Sequence, residues 1–268
     1  MQLSDMEKQF DAHLEKFIPK GGCLPRPLAL KAAHCRRVAT EARDMSSELD
    51  WPAHEQHLAQ TAGLLHDIGR FSQYAEFGTF WDAASVDHGE RGAAMLREAR
   101  WLADWDSEDL NAVLIAVRYH NRLGVPATVR DEHLALLRLV RDADKLDILR
   151  LVLDAVERDG FRDLPTMLPH VRMEGLVSPA VIDQVSRGEC ASLNNVRSLA
   201  DFLLMQLSWV YDLNYPPAFR RLHDRSVVPR IMNQVDGDRR IHALGEDITH
   251  FVLNRSSVAQ KPADHEGS

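Results

Sequence analysis

Apolar residues recur at three- and four-residue spacing along nearly the whole chain, with no sustained period-two alternation between hairpin turns, a pattern that predicts an all-α protein. Phe10, Leu14, Phe17 and Ile18 form a first helical stripe, which the Pro19 to Pro27 stretch with its Gly21-Gly22 pair interrupts. Pro27 suits the first turn of a second helix, on which Val38, Ala42, Met45 and Leu49 share a face with His34 one turn ahead. A third helix holds Leu58, Ala62 and Leu65 and is expected to stop near Gly69 in a left-handed cap, which puts His66 and Asp67 in its last turn. The stretch FSQYAEFGTFWDAAS reads as a loop, followed by a helix from about Ser85 with His88, Gly92, Met95 and Ala99 on one side. Ser107, with Glu108 and Asp109 behind it, reads as the cap of a helix that runs to about His120 over Leu110, Val113, Leu114 and Val117.

After the loop NRLGVPATVR a long helix spans about Asp131 to Arg158. Farther on, Ser178-Pro179 opens a helix, Ser198 caps the apolar run LADFLLMQLSWVYDL, and Ile241, Leu244, Ile248 and Phe251 mark the last helix. No long low-complexity linker separates these elements. They read as one helical domain over residues 1–255, its C-terminal part from about 161 packed on the first, with a disordered tail over 256–268.

Several positions do not suit an apolar core. Burying an unpaired ionised carboxylate costs several kcal/mol, yet Asp144 lies in the middle of the expected inward stripe Leu137, Val140, Ile148 and Leu151. Asp147 falls close to the same stripe and Asp142 points elsewhere, so spacing does not choose between 144 and 147. His34, His66, Asp67, His88 and His120 also sit at helix faces or ends that otherwise read as core. Each alone could be a hydrogen-bonded structural residue. Together, imidazoles and carboxylates from separate helices are how helical bundles assemble metal sites, and this donor set suits iron, manganese, cobalt, nickel or zinc.

Composition narrows the chemistry. A formal charge of −8 over 268 residues works against a duplex nucleic acid, which needs a clustered basic surface. No segment has about 18 uninterrupted apolar residues, and the first twenty lack a secretion signal's apolar core, so a cytoplasmic protein without a membrane partner is expected. Cys23, Cys35 and Cys190 have no CxxC spacing, which points away from a disulfide framework or a thiolate zinc site.

The order His34, then His66-Asp67 in LLHDIGR, then Asp144 in RDADKLD resembles the HD-domain superfamily of metal-dependent phosphohydrolases over about residues 28 to 150. DHGERGAAML is similar to the segment found in members that carry two metals. The resemblance selects Asp144 over Asp142 and Asp147. It implies that His34, His66 and Asp144 hold one metal, that His88 and His120 hold the other, and that Asp67 bridges them. The loop NRLGVP after His120 departs from the DGxGYP of the HD-GYP phosphodiesterases, which counts against cyclic-di-GMP as substrate.

Two divalent transition-metal ions, iron or manganese first, would activate water and clamp a phosphoryl group. The implied activity is hydrolysis of a phosphomonoester or phosphodiester in a nucleotide or similar small phosphorylated metabolite. Asp67, Arg70 and Lys145 are the candidate catalytic residues. Arg70 is the first candidate phosphate contact, followed by Lys145 and Arg122, against the alternative that each is an exposed surface cation. His54 and His57 read as a wet surface pair, and Tyr74, Phe80 and Trp81 as local packing rather than a nucleobase wall. Two other readings share the ligand set: a mixed-valent diiron oxygenase and a non-catalytic ligand sensor. A homodimer stays open.

Overall fold

The computed structural model describes residues 3–257 apart from 100, 103, 163, 165–167, 169 and 236–238. The tail expected to be disordered lies outside the described residues from 258 onward. The chain is all-α: among the described residues the one β feature is an isolated bridge between Arg172 and Ser198. Among the described residues no helix is long and apolar enough to cross a membrane. Two compact units, Met1–Asp147 and Ile148–Ser268, divide it.

The first unit contains α1 (Leu3–Glu15), α2 (Arg26–Glu48), α3 (Ala53–Leu65), α4 (Gly69–Phe77), α5 (His88–Ala99), α6 (Ser107–Tyr119) and the first part of α7 (Asp131–Asp159). α2 packs along α3, α5 along α6, and α4 against α5. Phe10 of α1 meets Phe71 of α4 edge-on, with ring centroids 5.7 Å apart. Val38, Ala42 and Met45 of α2 are fully buried as their spacing predicts, whereas Ile18 of the first stripe lies beyond the end of α1 and is 40% exposed.

The largest departure from the sequence reading concerns Gly69. It does not close α3 in a left-handed cap; α3 ends at Leu65, three turn residues follow, and Gly69 opens α4. A Cβ on Gly69 would lie 2.2 Å from the His88 carbonyl and 2.8 Å from the Gly92 amide. Its hydrogen therefore lets the turn that carries His66 and Asp67 press against the start of α5. The expected loop is half helix, and α4 stops at Gly78, whose φ of 68° is left-handed and whose N–H donates to the Tyr74 carbonyl at 2.8 Å.

Two helix starts also move. α5 begins at His88 rather than near Ser85, because Asp82–Ala84 form a 3₁₀ turn and the Asp87 carboxylate accepts from the Glu90 N–H at 3.0 Å. The cap of α6 is Asp106, which accepts from the amides of Glu108 and Asp109, both at 2.9 Å; Ser107 is the first helical residue. In α7, Leu137 and Val140 are buried as expected, but Ile148 is half-buried and Leu151 exposed. Over residues 136–147 this helix is buried on nearly every side, Arg141, Asp142, Lys145 and Asp147 included, so no single stripe exists to be read.

The second unit contains the rest of α7 with α8 (Pro179–Ser186), α9 (Leu199–Leu207), α10 (Pro216–Asp224), α11 (Val227–Met232) and α12 (Arg239–Ser256). Pro179 sits in the first turn of α8 behind Ser178. Ser198 caps α9 in a reciprocal box with Asp201. Residues 200–207 of α9 are all buried. Tyr211, Phe219 and Phe251 stack edge-on, with centroids 5.1 and 5.9 Å apart.

Candidate metal centre

Six residues from five parts of the first unit converge. His34 comes from the middle of α2, His66 and Asp67 from the turn after α3, His88 from the first position of α5, His120 from the residue after α6, and Asp144 from α7. The ring nitrogens Nε2 of His34 and His66 are 3.2 Å apart, and those of His88 and His120 are 3.0 Å apart. Asp144 Oδ1 is 3.1 Å from His34 Nε2 and 3.5 Å from His66 Nε2. Asp67 lies between the pairs. Its Oδ2 is 3.6 and 3.4 Å from the Nε2 atoms of His34 and His66, and its Oδ1 is 3.2 and 3.5 Å from those of His88 and His120.

The opposite nitrogen of every ring is already committed. His66 Nδ1–H donates to the Gly63 carbonyl at 2.7 Å and His120 Nδ1–H to the Val117 carbonyl at 2.8 Å, each one helical turn back. His34 Nδ1–H donates to Asp147 at 2.7 Å and His88 Nδ1–H to Asp82 at 2.6 Å. A carbonyl or ionised carboxylate only accepts, so these bonds keep the hydrogen on each Nδ1, and each ring when neutral presents Nε2 as a lone pair. Arg141 steadies the end of α6 by donating to the His120 carbonyl at 3.0 Å.

The cluster is therefore a set of acceptor atoms facing one another in a buried space. The four histidines and Asp67 are each at most 5% exposed, and Asp144 Oδ1 is buried without a hydrogen-bond donor. Such an arrangement calls for positive charge. His66 is accordingly pushed up to about 10: burial opposes the shift, but the Asp67 and Asp144 carboxylates outweigh it. Both carboxylates are held well below their ordinary range against the effect of burial, Asp67 by Lys31 and His66, Asp144 by His34 and His66. His120 moves the other way, to about 4, because burial dominates there.

Metal ions fit this demand. Ligand atoms about 2.0–2.2 Å from one ion are about 2.8–3.6 Å from their neighbours in octahedral or tetrahedral arrangements, a range that includes the separations above. His34, His66 and Asp144 can hold an ion together, as can His66, Asp67 and His120. The second grouping crosses between the histidine pairs, so the donors form one continuous cluster rather than two separate ones. A third group, Asp82, Asp87 and His88, is different. Its carboxylates accept from Arg70, Gln73, Asn121, Arg122 and the Glu90 amide, and their charge is already met.

The cations named from the sequence are placed differently from one another. Arg70 Nη1 donates to Gln73 at 2.9 Å, to Asp82 at 2.6 Å and to the Phe80 carbonyl, while its Nε is 3.5 Å from Asp67 Oδ1. Lys145 is not a surface cation; it is buried, with Nζ 3.5 Å from the Arg141 carbonyl. Arg122 is 44% exposed and pairs with Asp87 at 2.8 Å. The cation in closest contact with Asp67 is one that sequence reasoning missed. Lys31, one turn before His34 on α2, places Nζ 2.8 Å from Asp67 Oδ2. Its three-residue spacing from His34 was the available signal. His54 is exposed and pairs with Asp109 at 2.7 Å, outside the cluster.

The family model for the HD domain matches residues 32–149. No match to the chain was found among curated proteins or solved structures. All six converging residues lie inside the matched span, as do Asp82 and Asp147 behind two of the imidazoles. Residues 32–149 are thus an HD domain, and HD domains are in general those of metal-dependent hydrolases.

Proposed function

We propose that the protein is a phosphohydrolase acting on a phosphomonoester or phosphodiester of a nucleotide or similar small phosphorylated metabolite, with two divalent ions, iron or manganese, in the cluster. The observation that supports this reading most directly is the split of Asp67, one oxygen toward the His34–His66 pair and the other toward His88–His120. When bound, the ions would polarise the phosphoryl group and acidify a water nucleophile.

The chain's own residues supply orientation and charge. His34, His66 and Asp144 would hold one ion and His88 and His120 the other, each ring kept in place by its Nδ1 hydrogen bond. Lys31, with a side chain 21% exposed and close to Asp67, offers a charge-assisted hydrogen bond to a phosphoryl oxygen. Arg70 faces the opposite oxygen of Asp67 and stiffens that side. Phe80, whose ring centroid is 5.9 Å from Lys31 Nζ and which stacks on Tyr74, gives a flat apolar surface beside the ammonium that suits a nucleoside.

The test is metal analysis of the purified chain followed by an anaerobic screen of phosphorylated metabolites. Two ions per chain and phosphate or nucleotide release that requires manganese or iron are expected. A strict oxygen requirement would overturn the proposal in favour of an oxygenase; binding without turnover would overturn it in favour of a sensor.

A further inference from the structure

The four imidazoles are not backed alike. His66 and His120 rest on carbonyls of their own helices. His34 and His88 rest on carboxylates, and each carboxylate is gripped by an arginine. Arg37 donates to both oxygens of Asp147, Nε at 2.7 Å and Nη2 at 2.9 Å, while Asp147 Oδ2 accepts from His34. Arg70 Nη1 and Gln73 Nε2 donate to Asp82 Oδ1 at 2.6 and 2.9 Å, while Asp82 Oδ2 accepts from His88. Each histidine pair thus contains one ring on a carbonyl and one on an arginine-clamped carboxylate. The two relays share no residue.

We propose that Asp147 and Asp82 are positioning residues for the two halves of the centre, each setting the metal affinity of its own half through one imidazole. The inference rests on the metal reading above and deepens it. A carboxylate that accepts from Nδ1–H draws that proton toward itself and leaves Nε2 a stronger donor, and loss of such a partner typically costs 10–100-fold in metal affinity. The arginines matter because a clamped carboxylate stays ionised and keeps its ring at one angle. Arg70 belongs to this relay as much as to substrate, and Asp147 acts on His34 through the nitrogen opposite the one that Asp144 faces. Because the relays are separate, the halves can be loosened one at a time.

The test uses the full chain and manganese alone, followed by calorimetry and by the electron paramagnetic resonance of coupled Mn²⁺ pairs. The wild type is expected to bind two ions. Asp82→Asn keeps the shape and removes the charge; it should weaken one ion at least 10-fold, leave the other unchanged and abolish the coupled signal. Asp147→Asn should do the same to the other ion. Adding His120→Ala to Asp82→Asn should leave one ion bound, whereas adding His66→Ala should remove both. If either Asn variant fails to fold, Arg70→Gln or Arg37→Gln takes its place, with a smaller loss expected on the same side. Unchanged affinities at both ions, or equal loss of both, would overturn the inference while leaving the metal reading intact. A wild type that binds no manganese, iron, cobalt, nickel or zinc would overturn the metal reading and this inference with it.

Discussion

Asp201 and Asp67 are both buried aspartates, and they do opposite things. In the second unit Asp201 is fully buried and its carboxylate accepts from the Ser178 amide and hydroxyl at 2.6 and 2.7 Å, the Arg197 amide at 2.8 Å and the Ser198 amide at 3.2 Å. Donors of the chain satisfy it, and it ties the start of α8 to the start of α9. Asp67 has Lys31 at one oxygen and Arg70 at the other, with the Nε2 atoms of four imidazoles closing round it. A carboxylate satisfied by amides and hydroxyls of the chain stabilises a fold; one ringed by imidazole nitrogens that can ligate a metal can share a cation with them. Burial alone does not separate the two roles, but the direction of the surrounding hydrogen bonds does.

Removing the Asp67 carboxylate should have the greatest consequence. Asp67→Ala should abolish hydrolysis, a loss of at least about a thousandfold, and release bound metal while the circular dichroism spectrum is retained. Full activity in that variant would sink the dinuclear reading. Asp201→Ala is the counterpart. It should leave metal content and kcat unchanged but destabilise the chain by about 3 kcal/mol, because several buried donors and a helix cap lose their acceptor together. Urea unfolding checks it, and a selective loss of metal in Asp201→Ala would erase the distinction.

A smaller effect sharpens the same contrast among histidines. His13 is buried among Phe17, Phe71 and Trp101, and burial with nearby Lys16 pushes it down to about 4, opposite in direction to His66. The folded state keeps His13 neutral while the unfolded chain takes up a proton near pH 6.5. The stability this contributes is complete above that value and is lost as the pH falls toward 4. His13→Leu should therefore reduce the drop in unfolding free energy between pH 7 and 4.5 by about 2 kcal/mol. An identical pH dependence in both proteins would show that His13 is not an ordinary core histidine.

α2, with its apolar stripe behind a proline in the first turn, and α9, with its capping box, were legible from the sequence. α4 was not, because GRFSQYAEF mixes aromatic and polar residues and shows no clear apolar stripe. The six cluster residues could be picked out because imidazole and carboxylate are out of place on apolar faces. Lys31, Arg37 and Asp82 looked like any solvated charge, since their importance lies in partners up to 110 residues away. The choice between Asp144 and Asp147 could not be made from helical spacing because both face His34, from opposite ring nitrogens.

The helical character of the chain, and the imidazoles and carboxylates that sit on faces meant for burial, can be read from the amino-acid order alone. Both follow from local periodicity and from the cost of burying charge. Which way each ring faces, which charges are already neutralised and why position 69 has no side chain emerge once the helices are packed. Those depend on atoms brought within about 3 Å from distant parts of the chain, and no local pattern records them.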